Sequence, residues 1–282
     1  MDFRQLSETI ARRSSVLCVG LDPDPERMPK GLAGHDLPLF EFCRQIVDAT
    51  APFAVAYKVN TAFFEAAGPE GWESLERLQA YIGKGYFRIA DAKRGDIGNT
   101  GRLYAKAFFE RMDFDAITVT PYMGLDTLEP FLAYEGKCVY VLCLTSNPGA
   151  EFLQLTCSKK GRFLFEQVAE SVAVHVQSSR LGLVAGATQA EHLPLLLKAA
   201  PNSHFLVPGV GTQGASLEQT LSHFANHKNR VLINSSRDIL YASQGPDFAE
   251  RAAERAQVLH SVMTSWLKGD TNQTAQDFPE QL

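Results

Sequence analysis

Two acids and two bases stand close together in a short stretch of the chain and its upstream neighbour. In FRIADAKRGDIGNT (87–100) an apolar run ends at Asp91-Ala92-Lys93, and period-two strand geometry sends Asp91 and Lys93 to the same side with a small alanine between them. Asp96 follows Gly95, and Lys58 ends a similar run, AVAYKVN (54–60), so Lys58, Asp91, Lys93 and Asp96 are expected to converge on one rim. A charge taken out of water costs several kcal/mol unless it is paired, so unlike charges gathered in this way form a compensated network. Such a network offers carboxylates and ammonium groups for acid–base chemistry at the barrel mouth. The competing reading is an ion-pair lattice that only closes the fold.

A second constellation suits an anion. One apolar run passes into Pro208-Gly209-Val210-Gly211-Thr212-Gln213-Gly214, and the next ends at Ser235-Ser236-Arg237. Backbone N–H groups at such strand-to-helix turns hold phosphate, and an arginine adds a bidentate charge-assisted contact. Taken alone, the glycines are equally at home in tight turns into a helix. Gly209, Gly211 and Gly214 also spell GxGxxG, but a dinucleotide fold needs an acid at the end of the following strand, which here reads Val231-Leu232-Ile233-Asn234. The nicotinamide reading is therefore rejected.

The elements that must position these residues recur with one rhythm. Eight short apolar runs appear at 16–22, 54–60, 87–93, 116–122, 138–146, 181–188, 204–211 and 230–236. Most are followed by longer segments, among which 61–82 and 160–178 carry helical spacing. Near-continuous apolar strands are what a parallel sheet covered by helices requires, and eight strand–helix units predict an α/β fold closed as a (β/α)8 TIM barrel. In 248–266, Phe248, Ala252, Ala256, Leu259, Met263 and Trp266 form one helical stripe, expected to be core. Residues 1–268 are read as one barrel domain with an N-terminal helix, and 269–282 as a polar, loosely held tail. The run from Ser146 to Gly161 is long for a strand-to-helix connection and leaves from the end where barrels place their sites, which makes it a candidate lid.

Composition narrows the function class. The 282 residues carry 32 acids and 27 bases, a net charge of −5 without a long single-sign run, so neither a nucleic-acid nor a membrane surface is expected. The first residues, MDFRQLSETIARRSS, have no apolar core of a signal peptide, and no stretch approaches the roughly 20 apolar residues of a membrane span. A cytoplasmic protein is expected. The cysteines at 18, 43, 138, 143 and 157 lack metal-site spacing and are expected to be buried, reduced thiols.

On these residues the chain resembles the orotidine 5'-monophosphate decarboxylase family over about residues 16–240. Asp91-Ala92-Lys93-Arg94-Gly95-Asp96-Ile97-Gly98-Asn99-Thr100 is similar to the family's D-x-K-x-x-D-I-x-x-T signature, which is highly specific among barrels. Leu21-Asp22 resembles its first-strand L-D, with the aspartate on the ribose, and Lys58 its second-strand lysine. Ser146 resembles the serine that reads the pyrimidine edge, and Pro208, Gly209, Gly211 and Gln213 the segment that approaches phosphate. Arg237 resembles the phosphate-binding arginine, with Ser236 before it where many members have glycine. Gly98-Asn99, Ser236 and the greater length resemble the longer, type 2 bacterial branch.

The resemblance implies a cofactor-free, metal-free conversion of orotidine 5'-phosphate to UMP and CO2 in pyrimidine biosynthesis. It implies Asp91 against the substrate carboxylate, Lys93 as proton donor to C6, and Lys58 as the orienting base. It also implies a homodimer in which Asp96, Ile97 and Thr100 enter the partner's site. Hexulose-phosphate synthases share the D-x-K-x-x-D strand but use Mg2+, and Lys58 with the Ser146-Asn147-Pro148 loop favours the pyrimidine enzyme. A catalytically silent nucleotide-binding barrel would have little need of so costly a buried ion array.

Overall fold

The structure is a computed structural model that describes residues 1–211 and 215–269. Eight parallel strands, β1 (Leu17–Leu21), β2 (Ala56–Asn60), β3 (Phe87–Arg94), β4 (Ala116–Val119), β5 (Cys138–Leu144), β6 (Leu181–Ala185), β7 (His204–Pro208) and β8 (Val231–Ser235), pair in sequence order. β8 returns to β1 through Leu17↔Ile233, so the sheet closes into the expected (β/α)8 barrel. The strands are short, mostly apolar and buried almost throughout, because side chains face either the barrel interior or the helices outside. Each Phe or Leu so buried contributes about 1.5–3 kcal/mol.

The N-terminal helix Phe3–Arg13 closes one end. Asp2 and Gln5 form its capping box, and Phe3 stacks on His204 at 4.2 Å and packs against Phe87. His204 and Phe87 are the first residues of β7 and β3, so this helix lies under the N-terminal ends of the strands. Nearby, Arg88 and Asp115 form a buried bidentate pair, with Nε to Oδ2 at 2.9 Å and the second contact at 3.2 Å. The C-terminal strand ends remain open for a ligand.

The outer helices depart from the sequence expectations in instructive ways. The helical segment 61–82 is two helices, Thr61–Glu65 and Gly68–Ile82, because Gly68 takes a left-handed φ of +64° between them. The segment 160–178 shortens to Leu164–Ala173, since Phe163 is bridged to Cys157 in the preceding connection. Helix Phe248–Lys268 buries Phe248, Ala252, Ala256, Leu259 and Met263, whereas Trp266 is only partly buried. It ends at Gly269 in left-handed conformation. Residues 270–282 of the expected tail lie outside the described residues.

One irregularity bears on the site. β3 and β4 are in register at Ala90↔Ile117 and again at Arg94↔Val119, so Asp91, Ala92 and Lys93 together face the single residue Thr118. This bulge sits at the C-terminal end of β3, and Lys93 within it has a φ of +46°.

Candidate active site

Four charged groups run in a chain across the open end of the barrel. Lys58, from the middle of β2, places Nζ 2.7 Å from Asp91 Oδ2 and 3.8 Å from Asp22 Oδ1. On the other side of the same carboxylate, Lys93 Nζ lies 2.6 Å from Asp91 Oδ1. Lys58 and Asp91 are buried, whereas the Lys93 side chain is half exposed and thus accessible to a ligand. Asp22 Oδ1 is buried without a hydrogen-bond partner.

The electrostatics follow from this geometry. Burial acts to raise the Asp91 pKa, but the ammonium groups of Lys58 and Lys93 outweigh it and hold the carboxyl well below its usual range. Burial disfavours a charged Lys58, yet the Asp91 and Asp22 carboxylates prevail and keep its pKa above the ordinary value. Asp91 is thus a permanent anion at neutral pH. It is fixed from both sides before any ligand arrives.

Two adjoining cavities meet at this network. One of about 400 Å³ is lined by Lys58, Asp91 and Lys93, by Ser146 and Asn147, and by the apolar Leu142, Val184 and Leu206. Its mix of apolar and polar lining residues suits a small ring with polar edges. The second, about 170 Å³, is lined by Asp22, Asn60 and Asn234 on one side and by Gly209, Ser236 and Arg237 on the other. Lys58, Asp91 and Pro208 border both. Gly209 has a φ of +101°, a turn that a residue with a Cβ would resist, and it brings backbone to the cavity wall. Arg237 begins the short helix after β8 and is exposed, its side chain making no hydrogen bond or ion pair with another described residue. Together these place a glycine turn and an unpaired guanidinium beside the charge network, with Asp22, Asn60 and Asn234 lining the same cavity. A larger groove of about 1160 Å³ lies between the 25–39 segment and Gln244–Phe248, but its charged lining residues, Glu26, Lys30 and Glu70, are exposed and unconnected to the network.

Several expected site residues are thereby gathered: Lys58, Asp91, Lys93, Asp22, Ser146, Pro208, Gly209, Ser236 and Arg237. Asp96 does not join the network within its own chain, and Asp22 supplies the second acid instead. Asp96 lies beyond the bulge and accepts a hydrogen bond from the Ile97 N–H at 2.8 Å. Thr100 is exposed on helix Gly98–Ala105 and lines neither cavity. Gly211, with a φ of +87°, packs beside Asp238 rather than on the cavity wall. Gln213 lies outside the described residues.

Asp91 and Lys93 reach the same side, as their spacing predicts, but not through a regular strand. The bulge and the left-handed Lys93 backbone bring them together. Cys157 is exposed, while the other four thiols are buried as expected. Thr118, Asn60, Asn234 and Gln154 line the cavities without belonging to any motif. Their signal is modest: each of the first three is a polar residue in an apolar strand, and Gln154 lies in the long connection after β5. Gln154 accepts from the Thr145 N–H and donates to its hydroxyl, both at 2.8 Å, tying that connection to the end of β5. Among the described residues no cluster of three His, Cys, Asp or Glu side chains is arranged to hold a metal ion.

Comparison with known proteins bears on the same site. Residues 15–253 match the model of the orotidine 5'-phosphate decarboxylase / HUMPS family. The chain is 50% identical over 266 residues to an orotidine 5'-phosphate decarboxylase of Flavobacterium johnsoniae, covering 93% of this chain and 97% of that one. It is 43% identical over 270 residues to the enzyme of that name from Dehalococcoides mccartyi, covering 94% and 98%. The structure of Leishmania donovani OMP decarboxylase aligns with a TM-score of 0.78 at 37% identity, covering 93% of this chain and 99% of that chain. A putative orotidine-monophosphate-decarboxylase from Toxoplasma gondii aligns with a TM-score of 0.84 at 34% identity, covering 95% and 98%.

Proposed function

The chain belongs to the orotidine 5'-phosphate decarboxylase / HUMPS family, and from that premise we propose how its residues convert orotidine 5'-phosphate to UMP and CO2. The activity is that of a carboxy-lyase. The observation that carries the residue assignments is the Asp22–Lys58–Asp91–Lys93 chain at the junction of the two cavities.

The pyrimidine occupies the larger cavity with its edge toward Ser146, the ribose hydroxyls meet Asp22 and Lys58, and the phosphate takes Gly209, Ser236 and Arg237, with Gln213 assigned to it by the resemblance alone. This pose sets the C6 carboxylate against Asp91. When the C6–carboxyl bond breaks, its electron pair stays on C6, which has no attached electron sink. The repulsion from Asp91 vanishes as CO2 leaves, and the Lys93 ammonium gains a partner as negative charge develops. Both effects favour the transition state over the ground state. Lys93 then transfers an Nζ proton to C6, giving UMP, and the resulting amine takes a proton from water. Lys58 keeps Asp91 aimed. Gripping a phosphate remote from the broken bond supplies binding energy for orientation and for drawing the 146–161 connection over the site.

A homodimer that completes each site with Asp96 and Thr100 of the other subunit is part of this reading. It is supported by Ile97, Leu103, Tyr122 and Met123, large apolar side chains exposed on and near the segment that carries Asp96 and Thr100. Mixing Lys93→Ala chains with Asp96→Asn chains should restore about a quarter of the parent activity, since every hybrid dimer holds one intact site. A cytoplasmic location fits five free cysteines and the lack, among the described residues, of a helix long and apolar enough to cross a membrane. One functional unit spanning residues 1–268 fits a site whose side chains come from β1, β2, β3 and β8.

The test is to incubate the purified protein with orotidine 5'-phosphate in excess chelator and to follow loss of the substrate's ultraviolet band. Turnover unaffected by chelator is expected. An unchanged band with folded protein would defeat the decarboxylase reading, and activity restored only by added Mg2+ would favour a metal-dependent relative.

A further inference from the structure

Lys93 holds a backbone conformation that a residue with a Cβ disfavours, at a φ of +46°, on the strand that also carries Asp91. The bulge responsible sets Asp91, Ala92 and Lys93 opposite Thr118 alone, so the Lys93 N–H has lost its place in the ladder. A side chain replaces the missing partner: Thr118 Oγ1 accepts from the Lys93 N–H at 2.9 Å. The same hydroxyl donates to Asp91 Oδ1 at 3.1 Å. Beyond the bulge the ladder resumes, with the Thr120 N–H donating to the Arg94 carbonyl at 2.8 Å. Thr118 is itself buried, 1% exposed, at the floor of the larger cavity.

We propose that Thr118 is a positioning residue for the decarboxylation, its hydroxyl locking the bulged Lys93 backbone to the Asp91 carboxylate so that ammonium and carboxylate face the substrate in one fixed relation. The inference rests on the decarboxylase reading. One hydroxyl serves both partners, since a hydroxyl donates once and still accepts. Without it the Lys93 N–H is left unpaired beside a cavity, and relaxation toward regular strand geometry relieves this at the expense of the Nζ position. A displacement of about 1 Å in a reacting group can lower a rate about 100-fold. Thr118 acts on Lys93 through the backbone and on Asp91 through one oxygen. Its loss therefore impairs the chemical step more than the binding of a nucleotide whose phosphate and ribose are held elsewhere.

Thr118→Val keeps the branched shape and removes only the hydroxyl, whereas Thr118→Ser keeps the hydroxyl and removes the methyl. With orotidine 5'-phosphate as substrate, Thr118→Val should lower kcat by about 10- to 100-fold with KM within about threefold of the parent. Thr118→Ser should stay within about threefold in both. Thr118→Ala also lacks the hydroxyl and carries the comparison with serine should the valine variant not fold. Parent-like kcat in the hydroxyl-free variant overturns the proposal, and so does an equal loss in the serine variant, which would assign the effect to packing of the methyl. Absence of turnover by the parent protein would instead overturn the decarboxylase reading and this inference with it.

Discussion

Lys58 Nζ stands 2.7 Å from Asp91 Oδ2, with both side chains almost wholly removed from solvent. Such a pair contributes little to stability compared with an apolar substitute of similar size, but removing one member strands the other. Lys58→Met should destabilise the fold by about 3–5 kcal/mol, whereas Lys58→Met combined with Asp91→Leu should cost less than the sum of the two single changes. Denaturant unfolding of the three variants measures this. Strict additivity would mean that the two groups do not share one network.

Lys93 lines the larger cavity and is half exposed, while Lys58 and Asp91 are enclosed. Lys93→Ala should therefore abolish decarboxylation, by more than about 1,000-fold in kcat, while UMP still binds measurably. Titration calorimetry with UMP, alongside the ultraviolet assay, separates the two effects. Normal turnover by this variant would remove Lys93 from the role of proton donor.

Arg237 begins the helix after β8 and lines the smaller cavity, which Lys93 does not. Arg237→Ala should weaken UMP binding by about 10- to 100-fold, the value of a hydrogen-bonded charge, and leave uridine binding nearly unchanged. An equal loss for nucleotide and nucleoside would contradict phosphate recognition by this arginine.

His204 stacks on Phe3 beneath the barrel, and burial together with the Arg230 guanidinium pushes its imidazole down to about 3. An unfolded chain binds that proton near the ordinary value of about 6.5, so between these two pH values the unfolded state holds more protons than the folded one. Stability attributable to this group is thus complete above about pH 6.5 and is lost as the pH falls toward 3. His204→Phe keeps the stack and removes the titration, and its Tm should fall less than the parent's between pH 7 and about pH 4.5. Parallel Tm curves for the two proteins would show that His204 carries none of the acid sensitivity.

Most of the barrel was legible in the amino-acid order because its cause is local. Each strand is a short, mostly apolar run, and each run announces itself without reference to the others. Helix boundaries were less legible, since Gly68 and the Cys157–Phe163 bridge act through backbone geometry and not through hydrophobic period. In the site, Asp91 and Lys93 were found by their spacing, and Lys58, Asp22 and Arg237 by their positions at or near strand ends.

Sequence alone therefore determined the number of strands, the end of the barrel where the charged residues gather, and which charged residues are available there, because these depend on pattern and residue type. Only the tertiary structure decided that Asp22, and not Asp96, completes the charge chain within one subunit. It also decided that Lys93 reaches Asp91 from a left-handed bulge, and that Thr118 on the next strand holds both. The physical reason is register: which strand-end side chains meet depends on how neighbouring strands are offset around a closed ring, and one bulge between β3 and β4 sets the backbone from which Lys93 reaches Asp91.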